Sequence, residues 1–429
     1  MMKYKDKKVL VYGLGRSGQS AIEFLASKNA RLYAFDDKKY FSDKAVCLKN
    51  FSSVPNKLDF AVISPGVDVN SKNIQTLLAN KTQLKSELEL GVENYKHKLI
   101  GITGTNGKTT TACLLQHIFQ VARKKSFLCG NVGEPITSFY SQFKTSKFAV
   151  CEISSFQMET TSKLKPYVAT ILNVLPDHLD RHKNMDNYIV LKEKVVKNAK
   201  FKVFNADDEI SYNISRKYKD SILFSKRKLT NGAYVDGEYI CYKNKKIARK
   251  NSSNLLGEKN LENILACVTI SKLCGVANHY IEEALQTFKP LAHRLEYVDT
   301  FDDVDYINDS KSTNVASTLC ALEAFKNRSV ILLVGGRSKE FDFSAIFKKK
   351  LKAFVCFGEC GESLCFGAKN KSVFFENTLK NAFRKAYEIA RSGDVVLLSP
   401  ACASFDEFSS YKERGELFKS LVKRLKTGE

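Results

Sequence analysis

Several features that define other protein classes are missing from this 429-residue chain. No apolar run approaches the roughly 18 residues that a membrane-spanning helix requires. Twelve cysteines are present but none forms a C-x-x-C pair, which predicts reduced, mostly buried thiols. The tightest group, Cys356, Cys360 and Cys365, has no histidine nearby, which argues against a zinc site. A repeat period is also absent, so the chain is not a solenoid.

A secretory signal is another feature that the sequence lacks. The basic segment at residues 1–8 leads directly into a short predicted strand and contains no signal-peptide core. Together with the cysteine usage, this segment predicts a cytoplasmic protein. With 44% hydrophobic and 27% charged residues, the chain has the composition of a globular protein with an ample core.

The charge balance is strongly basic, with a formal net charge of +22 at pH 7. The lysines are scattered along nearly every segment, whereas a nucleic-acid-binding protein would concentrate them on a patch with interleaved aromatic residues. This spread is typical of a solvated surface, which would also attract anionic small molecules such as nucleotides. A nucleic-acid-binding protein stays an alternative, and salt-sensitive DNA binding would support it.

The most informative stretch is G-I-T-G-T-N-G-K-T-T at residues 101–110, which lies between an apolar run and a helix-like run at 111–123. A strand, a glycine-rich turn and a helix form the geometry that cradles polyphosphate, because backbone N–H groups and a helix N-terminus face the anion. Lys108 would reach the terminal phosphates and the Thr109 hydroxyl would hold Mg²⁺. The usual G-x-x-x-x-G-K-[ST] spacing needs glycine where this chain has Ile102, so the loop is a variant, and the alternative is an ordinary glycine-rich turn.

The first segment of the chain contains a second glycine-rich turn. A predicted strand at 8–12 leads into G-L-G-R-S-G at 13–18, a helix follows at 19–27, and a second strand at 31–35 ends in two aspartates. A G-x-G-x-x-G turn with an acidic residue about twenty positions later is the dinucleotide-binding fingerprint. Taken alone, this segment predicts NAD binding and an oxidoreductase.

The second and third segments also alternate predicted strands and helices. In the second, a strand at 168–174 runs into P-D-H-L-D, a helix covers about 188–199, and the alternation around Asp236-Gly237 reads as a β-hairpin. In the third, four short strands alternate with helical stretches, at 330–334, 353–357, 373–375 and 395–398.

These patterns predict an α/β protein of three domains. They are an N-terminal Rossmann-like domain (residues 1–91), a central P-loop-type ATPase domain with a mostly parallel sheet (92–288) and a C-terminal Rossmann-like α/β domain (289–429).

Short motifs follow one another along the whole chain in an order that resembles the Mur ligases, ATP-dependent enzymes that form amide bonds in peptidoglycan precursor synthesis. The strings E-I-S-S-F-Q, N-V-L-P-D-H-L-D-R and S-P-A-C-A-S-F-D-E-F are most similar to those of the members that add D-glutamate. The motifs that carry the resemblance are G-T-N-G-K-T-T (104–110), G-N-V-G (130–133), E-I-S-S-F-Q (152–157), N-V-L-P-D-H-L-D-R (173–181), N-A-D-D (205–208), H-R (293–294), N-D-S-K-S-T-N (308–314) and S-P-A-C-A-S-F-D-E-F (399–408).

The resemblance implies a reaction between UDP-N-acetylmuramoyl-L-alanine and D-glutamate. Transfer of the γ-phosphoryl group of ATP would convert the substrate carboxylate into an acyl phosphate. The D-glutamate amine would then attack, and a tetrahedral intermediate would collapse with release of phosphate. Phosphoryl transfer of this kind depends on positioning and on cations at the phosphate oxygens. We also expect a monomer whose partners are these small-molecule substrates, with no nucleic-acid or membrane partner.

The resemblance assigns the chemistry of the central domain residue by residue. Lys108 would contact the phosphates, and Thr109 and Glu152 would bind one Mg²⁺. His178 would hold a second Mg²⁺ together with Lys192 as a carbamate, because a carbamate converts a cationic amine into an anionic oxygen ligand. The remaining ATP-binding positions match Gly104, Thr105, Asn106, Gly107, Thr110, Asn263, Arg294 and Asp309.

Three of these residues have ordinary alternatives when taken alone. Lys192 would be one more cation on an amphipathic helix, His178 a structural histidine and Arg294 a member of a surface ion pair. Their places in the motifs favour the roles above.

The resemblance also reinterprets the first glycine-rich turn, which would bind the pyrophosphate of the UDP-sugar instead of NAD. The UDP-sugar would be surrounded by Arg16, Ser17, Asp36, Asp37, Ser64, Gly66 and Asn131. D-glutamate would be held by Lys311, Thr313, Lys339, Ser404, Phe405 and Tyr411. The segment around Lys339 departs from the usual family pattern, so Arg337 could share its role.

Other functions are compatible with parts of the sequence. A sister Mur ligase that adds another amino acid would carry the same motifs, and an enzyme similar to folylpolyglutamate synthase would share the class of reaction. The turn at 13–18 argues against the folate enzymes. An NAD-dependent oxidoreductase would leave the phosphate loop at 101–110 unexplained.

Overall fold

A computed structural model describes residues 3–38, 41–338, 342–368 and 372–427. The chain divides into two compact units. The first contains Met1–Ser252 and Glu262–Thr287, and the second contains Ser253–Leu261 and Phe288–Glu429.

The first unit begins with a five-stranded sheet in which every strand pair is parallel. Its central strand β1 reads K-V-L-V-Y and is apolar on both faces, since Val9 and Val11 pack into one core and Leu10 and Tyr12 into another. The order along the sheet is β3-β2-β1-β4-β5. The strands are Lys8–Tyr12 (β1), Arg31–Phe35 (β2), Val46–Cys47 (β3), Phe60–Ile63 (β4) and Leu84–Lys85 (β5), and the helices are Arg16–Ala26 (α1), Lys72–Ala79 (α2) and Glu87–Asn94 (α3).

A six-stranded sheet follows, again with every pair parallel, in the order β11-β10-β9-β6-β8-β7. Its strands are Lys98–Thr103 (β6), Ser126–Gly130 (β7), Phe148–Glu152 (β8), Val168–Ile171 (β9), Phe201–Asn205 (β10) and Ser221–Phe224 (β11). The helices of this region are Lys108–Val121 (α4), Ser155–Glu159 (α5), Leu179–His182 (α6), Met185–Lys197 (α7), Glu209–Ser215 (α8), Glu258–Leu273 (α9) and Asn278–Thr287 (α10). Two short 3₁₀ segments of the first unit cover Phe51–Ser53 and Ile136–Gln142.

Two boundaries in this region differ from the sequence prediction. The strand predicted to reach Val174 ends at Ile171, because the following residues bond to the phosphate loop. The helix predicted to begin at Tyr188 begins at Met185, because the Asn184 side chain caps it by accepting a hydrogen bond from the Asn187 N–H.

A small antiparallel sheet completes the first unit. The predicted hairpin is confirmed, with Ala233–Asp236 (β12) paired to Tyr239–Tyr242 (β13) across Gly237 at φ +56°. A third strand that was not predicted, Lys245–Arg249 (β14), pairs with β13. Its sequence is polar and rich in lysine, and only two of its five residues are buried, so it lacks the apolar pattern that would predict a strand.

The second unit contains a six-stranded sheet in the order β15-β16-β20-β17-β18-β19. All pairs are parallel except β15 with β16, a hairpin that was not predicted. Its turn residues Asp302 and Asp303 both have positive φ, as type I′ turns require. The strands are Glu296–Phe301 (β15), Val304–Asn308 (β16), Ser329–Gly335 (β17), Ala353–Phe357 (β18), Val373–Glu376 (β19) and Asp394–Ala401 (β20), and the helices are Val315–Ala324 (α11), Ser344–Phe347 (α12), Gly361–Gly367 (α13), Leu379–Ile389 (α14) and Tyr411–Thr427 (α15).

The α/β class with mostly parallel sheets is therefore confirmed, and parallel sheets place their ligand-binding loops at the carboxyl ends of the strands. The three-domain division at residues 91/92 and 288/289 stays a prediction. Across the described ranges, no helix combines the length and apolar character needed to cross a membrane.

Candidate active site

The phosphate loop joins β6 to α4 and depends on the glycine just before the helix. Gly107 has φ +83°, a left-handed conformation that favours glycine. A Cβ atom at this position would lie 2.2 Å from Asn263 Oδ1 on α9, so space excludes a side chain as well. The structure thus brings Asn263 to the loop. Ile102, where the usual spacing has glycine, is a buried residue of the strand itself.

Residues 173–175 hold the loop from one side. The Asn106 N–H donates to Asn173 Oδ1 (2.9 Å), and Asn173 Nδ2 donates back to the Asn106 carbonyl (3.1 Å). The Leu175 N–H donates to Thr105 Oγ1 (2.9 Å), and this hydroxyl donates to the Leu175 carbonyl (3.1 Å). The loop is therefore fixed in shape by the Asn173 side chain and the Leu175 backbone of the N-V-L-P-D-H-L-D-R motif.

Lys108 is the first residue of α4 and its amine lies over the loop. Its Nζ donates to the carbonyl oxygens of Gly104 (2.8 Å) and Thr105 (2.7 Å). Thr109 and Thr110 follow in the first helical turn, where backbone N–H groups carry partial positive charge. An ammonium group and a helix N-terminus at one loop can together bind a polyphosphate.

Glu152 ends β8, next to the loop strand β6 in the sheet. Its side chain is 2% exposed, and Oε1 accepts a hydrogen bond from Asn131 Nδ2 (2.7 Å). Oε2 is buried and has no hydrogen-bond partner among the described residues. A buried oxygen in this state is costly unless it is bound by a cation or a donor. The carboxylate is therefore suited to a hard cation, and Asn131, predicted to touch the UDP-sugar, also orients it.

His178 lies after β9 in a left-handed conformation (φ +55°) at the start of α6. Its Nε2 is 3.5 Å from Asp177 Oδ2, and its ring packs edge-on against Phe156 with a centroid distance of 4.9 Å. The side chain is 43% exposed. The imidazole can therefore meet a ligand while an aromatic ring fixes its orientation.

A second histidine, His182, lies on the other side of this aromatic cluster and was not singled out from the sequence. It is buried, its Nε2 is 2.9 Å from Ser155 Oγ, and its ring stacks on Phe156 and Tyr188. Burial, followed by the nearby His178, lowers the pKa of His182 to about 4. The ring is neutral at pH 7 and supports the packing of the site.

Lys192 on α7 is 1% exposed, an unusual environment for an amine. Its Nζ is 4.2 Å from the centroid of the Tyr188 ring. Burial, followed by the positive charge of Lys108, lowers the pKa of Lys192 well below its ordinary value, while Asp177 opposes the shift. Lys192 is therefore not one more cation on the exposed face of an amphipathic helix, which was the alternative for this residue.

The carboxyl edge of the five-stranded sheet brings together most of the residues predicted to bind the UDP-sugar. Gly13 has φ +90°, and a Cβ there would lie 2.7 Å from Ser64 Cβ. Ser64 Oγ donates to the Gly13 carbonyl (2.6 Å), and Asp36 Oδ2 accepts from the Leu14 N–H (2.5 Å). Asp37 Oδ2 accepts from the Tyr12 hydroxyl (2.9 Å).

The remaining UDP-sugar positions surround this turn from the outside. Arg16 and Ser17 are the first two residues of α1, and Arg16 and Gly66 are exposed. The helix N-terminus lies beside β1, which is flanked by β2 and β4, and this is the point where strand order reverses. Such a switch point forms a crevice for a phosphate-containing ligand.

The second unit has its own cluster, built around the buried Asp309 at the end of β16. Its Oδ1 accepts from the Leu295 N–H (3.1 Å), and its Oδ2 accepts from the hydroxyls of Ser399 (2.9 Å) and Ser312. Burial raises the pKa of Asp309 to about 6. Asp309 therefore connects the H-R motif, the N-D-S-K-S-T-N motif and the end of β20.

Arg294 lies between two residues with left-handed backbone, His293 (φ +63°) and Leu295 (φ +45°). The His293 N–H donates to Glu296 Oε2 (2.8 Å), and the His293 carbonyl accepts from the Lys311 N–H (3.1 Å). The tight turn that carries Arg294 is thus bonded to the segment predicted to bind D-glutamate.

Two of the predicted D-glutamate residues are neighbours, since Lys311 Nζ is 4.3 Å from the Tyr411 ring centroid. Ser404 is buried after β20, Phe405 is 60% exposed, and Thr313 is half-buried. Exposed and half-buried side chains at one edge of a sheet can contact a small ligand.

Lys339 lies outside the described residues. Arg337, which could share its role, forms a half-exposed ion pair with Glu359 (2.9 Å). Its backbone exchanges two hydrogen bonds with Ala403, so it borders the same edge of the sheet.

Arg414 is the main structural residue of the second cluster that sequence patterns missed. It is fully buried and donates to the carbonyl oxygens of Ser310 (2.9 Å), Cys402 (3.0 Å) and Ala403 (3.3 Å), and to Ser310 Oγ (3.1 Å). It lies on a helix rich in surface cations, so no signal in the sequence distinguished it.

Comparison with known proteins assigns the chain to a family. A family model described as "Mur ligase middle domain" matches residues 102–271, and one described as "Mur ligase, glutamate ligase domain" matches residues 293–402. The chain is 37% identical, over an alignment of 454 positions that includes gaps, to the UDP-N-acetylmuramoylalanine--D-glutamate ligase of Thermoanaerobacter sp. (strain X514), with 99% of this chain and 100% of that protein covered. The chain belongs to the Mur ligase family.

The chain is also similar to a second named ligase and to two solved structures. The UDP-N-acetylmuramoylalanine--D-glutamate ligase of Clostridioides difficile (strain 630) is 34% identical, with 99% and 100% of the two chains covered. The structure of UDP-N-acetylmuramate-alanine ligase MurC from Thermotoga maritima has a TM-score of 0.64 at 16% identity and covers 99% of this chain and 100% of its own. MurF ligase from the same organism, in complex with ADP, has a TM-score of 0.64 at 15% identity and covers 100% and 97%. The two structures support the fold.

Mur ligases are ATP-dependent amide-bond-forming enzymes that use Mg²⁺. The residues of this chain fit both: the loop offers an ammonium group and a helix N-terminus to phosphates, and Glu152 offers a buried carboxylate oxygen to a cation. Among the described residues, no group of three or more His, Cys, Asp or Glu side chains forms a metal site by itself. Any Mg²⁺ here would therefore share its coordination with hydroxyl, phosphate or water oxygens, as this ion commonly does.

Proposed function

We propose that this protein adds D-glutamate to UDP-N-acetylmuramoyl-L-alanine, with hydrolysis of ATP to ADP and phosphate. The observation that carries the proposal is the full-length similarity, at 37% identity, to a ligase named for this reaction. The phosphate loop and the buried Glu152 support it, because phosphoryl activation needs cations placed around the phosphate oxygens.

The chemistry follows from the low reactivity of a carboxylate. The substrate carboxylate oxygen attacks the γ-phosphorus of ATP, forming an acyl phosphate and releasing ADP. The D-glutamate amine then attacks the carbonyl carbon, and the tetrahedral intermediate expels phosphate. Lys108 holds the phosphates through its ammonium group, and the N-terminal turn of α4 orients them through backbone N–H groups.

The metal ligands are assigned to the strand ends around the loop. Thr109 and Glu152 would hold one Mg²⁺, and His178 and a carbamylated Lys192 would hold a second. When bound, the ions neutralise negative charge on the phosphate oxygens. Glu152 is held for this task by Asn131, and His178 by the Phe156 ring.

The burial of Lys192 supports its carbamylation. Only the neutral amine can attack CO₂, and burial beside the Lys108 charge favours that neutral form. The product carbamate is an anion, which the Lys108 charge would stabilise. A reactive lysine is thereby converted into an oxygen ligand.

The two remaining substrates are assigned to the five-stranded sheet and to the sheet of the second unit. The turn at 13–18, with Asp36 and Ser64 bonded to it, would take the UDP-sugar. The edge that carries Lys311, Ser404 and Phe405 would take D-glutamate, and Arg294 and Asp309 would support ATP. The three-domain division, a monomeric state and a cytoplasmic location belong to this proposal.

Phosphate release tests the reaction directly. Purified protein is incubated with ATP, Mg²⁺ and UDP-N-acetylmuramoyl-L-alanine, and D-glutamate, L-glutamate or L-alanine is added. Release that requires both the UDP-sugar and D-glutamate is the expected result. Release with another amino acid would make the protein a sister ligase, and an absence of release with every acceptor would contradict ligase activity.

A further inference from the structure

Two thiols of the second unit face each other at the carboxyl edge of its sheet. Cys360 immediately precedes α13, and Cys402 immediately follows β20. Their sulfur atoms are 3.4 Å apart, although 41 residues separate them along the chain. No role in ligand binding has been assigned to Cys360.

The two cysteines belong to loops that are already bonded together. The Cys360 N–H donates to the Gly336 carbonyl (3.1 Å), and the Glu359 N–H donates to Asp406 Oδ2 (3.0 Å). On the other side, the Cys402 carbonyl accepts from Arg414 Nη2 (3.0 Å). The backbone around both sulfurs is therefore held in register, which keeps the thiols in contact.

The two sulfurs differ in access. Cys402 is fully buried, whereas Cys360 is partly exposed. The hydrogen bond from Cys402 lowers the pKa of the Cys360 thiol, and the same contact with Cys360, followed by burial, raises the pKa of Cys402. Cys360 is thus the thiol that an oxidant meets first and the one that ionises more readily, as a reactive thiol requires.

We propose that Cys360 and Cys402 form a reversible disulfide under oxidation, and that this modification weakens D-glutamate binding at the adjacent edge of the sheet. A peroxide is the oxidant: the Cys360 thiolate attacks a peroxide oxygen, and protonation gives a sulfenic acid and water. The Cys402 sulfur attacks the sulfenic sulfur, the S–S bond forms, and a second water leaves. Two thiols lose two hydrogen atoms in total, and the peroxide takes the two electrons.

The consequence rests on the proposed function, because Ser404 and Phe405 lie two and three residues after Cys402. A disulfide brings its sulfurs from 3.4 Å to about 2.05 Å, and we expect part of this closure to come from the backbone of the two loops, which the hydrogen bonds above hold in place. Displacement of a binding group by about 1 Å can cost up to a hundredfold in rate. The disulfide would therefore weaken D-glutamate binding while leaving the phosphate loop of the first unit untouched.

A neighbouring cysteine provides a matched control. Cys365 lies on α13, five residues after Cys360, and is also partly exposed. Its Sγ donates to the Phe374 carbonyl (3.4 Å), and burial raises the pKa of its thiol. Cys365→Ser should therefore leave the disulfide intact, and Cys360→Ser should abolish it.

The first test is covalent and needs no substrate. Full-length protein is treated with hydrogen peroxide and then with a thiol-alkylating reagent, and its peptides are analysed by mass spectrometry. We expect a Cys360–Cys402 linked peptide in the wild type and in Cys365→Ser, removed by dithiothreitol. Phenylarsine oxide, which bridges two close thiols, should protect the pair from alkylation. Failure of both reagents to link this pair, while the other thiols react, would overturn the proposal.

The second test measures catalysis by the same samples. Oxidation should raise the KM for D-glutamate about tenfold or more in the wild type, with recovery on reduction, and should leave Cys360→Ser within about twofold. An equal loss in both proteins would overturn the link to the D-glutamate edge. Inactive reduced enzyme would instead contradict the proposed function, and the covalent result would stand independently of it.

Discussion

Buried polar groups serve opposite purposes at two sheet edges. One edge carries the phosphate loop, and the other carries the cluster around Asp309 and Arg414. At the first edge, Glu152 keeps one buried oxygen without a partner among the described residues. At the second, Asp309 accepts three hydrogen bonds and Arg414 donates four, all within the second unit. The first arrangement leaves polar capacity for a ligand, and the second uses that capacity to hold loops.

The difference indicates where each edge meets its ligand. At the phosphate loop the buried groups themselves are expected to bind, because desolvated charges interact strongly with a bound ion. In the second unit the buried groups act as a frame, and the half-buried or exposed Lys311, Thr313 and Phe405 are expected to touch the substrate.

Replacing the carboxylate of Glu152, whose Oε2 has no hydrogen-bond partner among the described residues, should have the largest effect on activity. Glu152→Gln keeps the acceptor for Asn131 but removes the negative charge that a cation needs. We expect kcat to fall about a thousandfold or more, with the free energy of unfolding unchanged or higher, because a desolvated charge has been removed. Phosphate-release kinetics and thermal unfolding measure the two effects. Glu134→Gln, an exposed neighbour, should change neither.

Replacing the buried guanidinium of Arg414 should mainly lower the free energy of unfolding. Arg414→Met leaves the carbonyl oxygens of Ser310 and Cys402 without this donor, whereas the Ala403 carbonyl keeps the Arg337 N–H. The free energy of unfolding should fall by about 3 kcal/mol. Circular dichroism during denaturation is the suitable measurement, since the chain contains no tryptophan. Arg424→Met on the exposed face of the same helix should cost less than about 0.5 kcal/mol. Equal effects of the two substitutions would remove the distinction between the two edges.

Lys192 tests whether the first edge is completed by a carbamate. Lys192→Ala should lower kcat about a hundredfold, and removal of dissolved CO₂ should lower wild-type activity reversibly. ¹³C NMR after incubation with labelled bicarbonate should show a carbamate signal that Lys192→Ala lacks. Lys197→Ala, an exposed lysine of the same helix, is the control and should retain both signal and activity. A wild-type protein without the signal would refute the carbamate.

Glu87, at the start of α3, combines both situations in one buried carboxyl group, and we expect it to have a smaller effect. Its Oε1 accepts from the Thr137 N–H (2.7 Å) and hydroxyl (2.6 Å), whereas its buried Oε2 has no hydrogen-bond partner among the described residues. Burial raises the pKa of Glu87 from 4.5 to about 7. The unfolded chain therefore releases this proton at lower pH than the folded one.

Because the pKa of Glu87 is raised in the folded protein, the free energy of unfolding falls as the pH rises. The stability contributed by protonated Glu87 is fully present below about pH 4.5 and is lost as the pH rises through about 7, which amounts to up to about 3 kcal/mol. Glu87→Gln should remove this part of the pH dependence, so the variant gains stability relative to wild type between pH 5 and about 8. Denaturation curves across this range measure the difference. A constant difference at every pH would show that Glu87 does not titrate in this way.

The sequence predicted the strand-turn-helix units well because a buried parallel strand is a continuous apolar run that ends in glycine or a polar residue. Strands such as Lys8–Tyr12 and Ala353–Phe357 match their predicted bounds for this reason. The edge strand β15 escaped prediction, and with it the hairpin to β16, because a half-exposed strand carries many polar residues.

The candidate site was predictable only where a motif carries its chemistry. Lys108 and Glu152 follow from their strings, but the buried Arg414 and His182 do not. Their roles depend on which carbonyl or ring the fold places beside them, and no local pattern encodes a partner that is distant along the chain. The contact between Cys360 and Cys402 is hidden from the sequence for the same reason.

If Glu152 holds Mg²⁺, the phosphate loop is a metal-dependent nucleotide site. Calorimetric titration of ATP into wild type and Glu152→Gln, at several Mg²⁺ concentrations, tests it most directly. We expect the affinity of the wild type for ATP to rise with Mg²⁺ and the variant to lose most of this dependence while still folding. An identical Mg²⁺ dependence in the two proteins would contradict it.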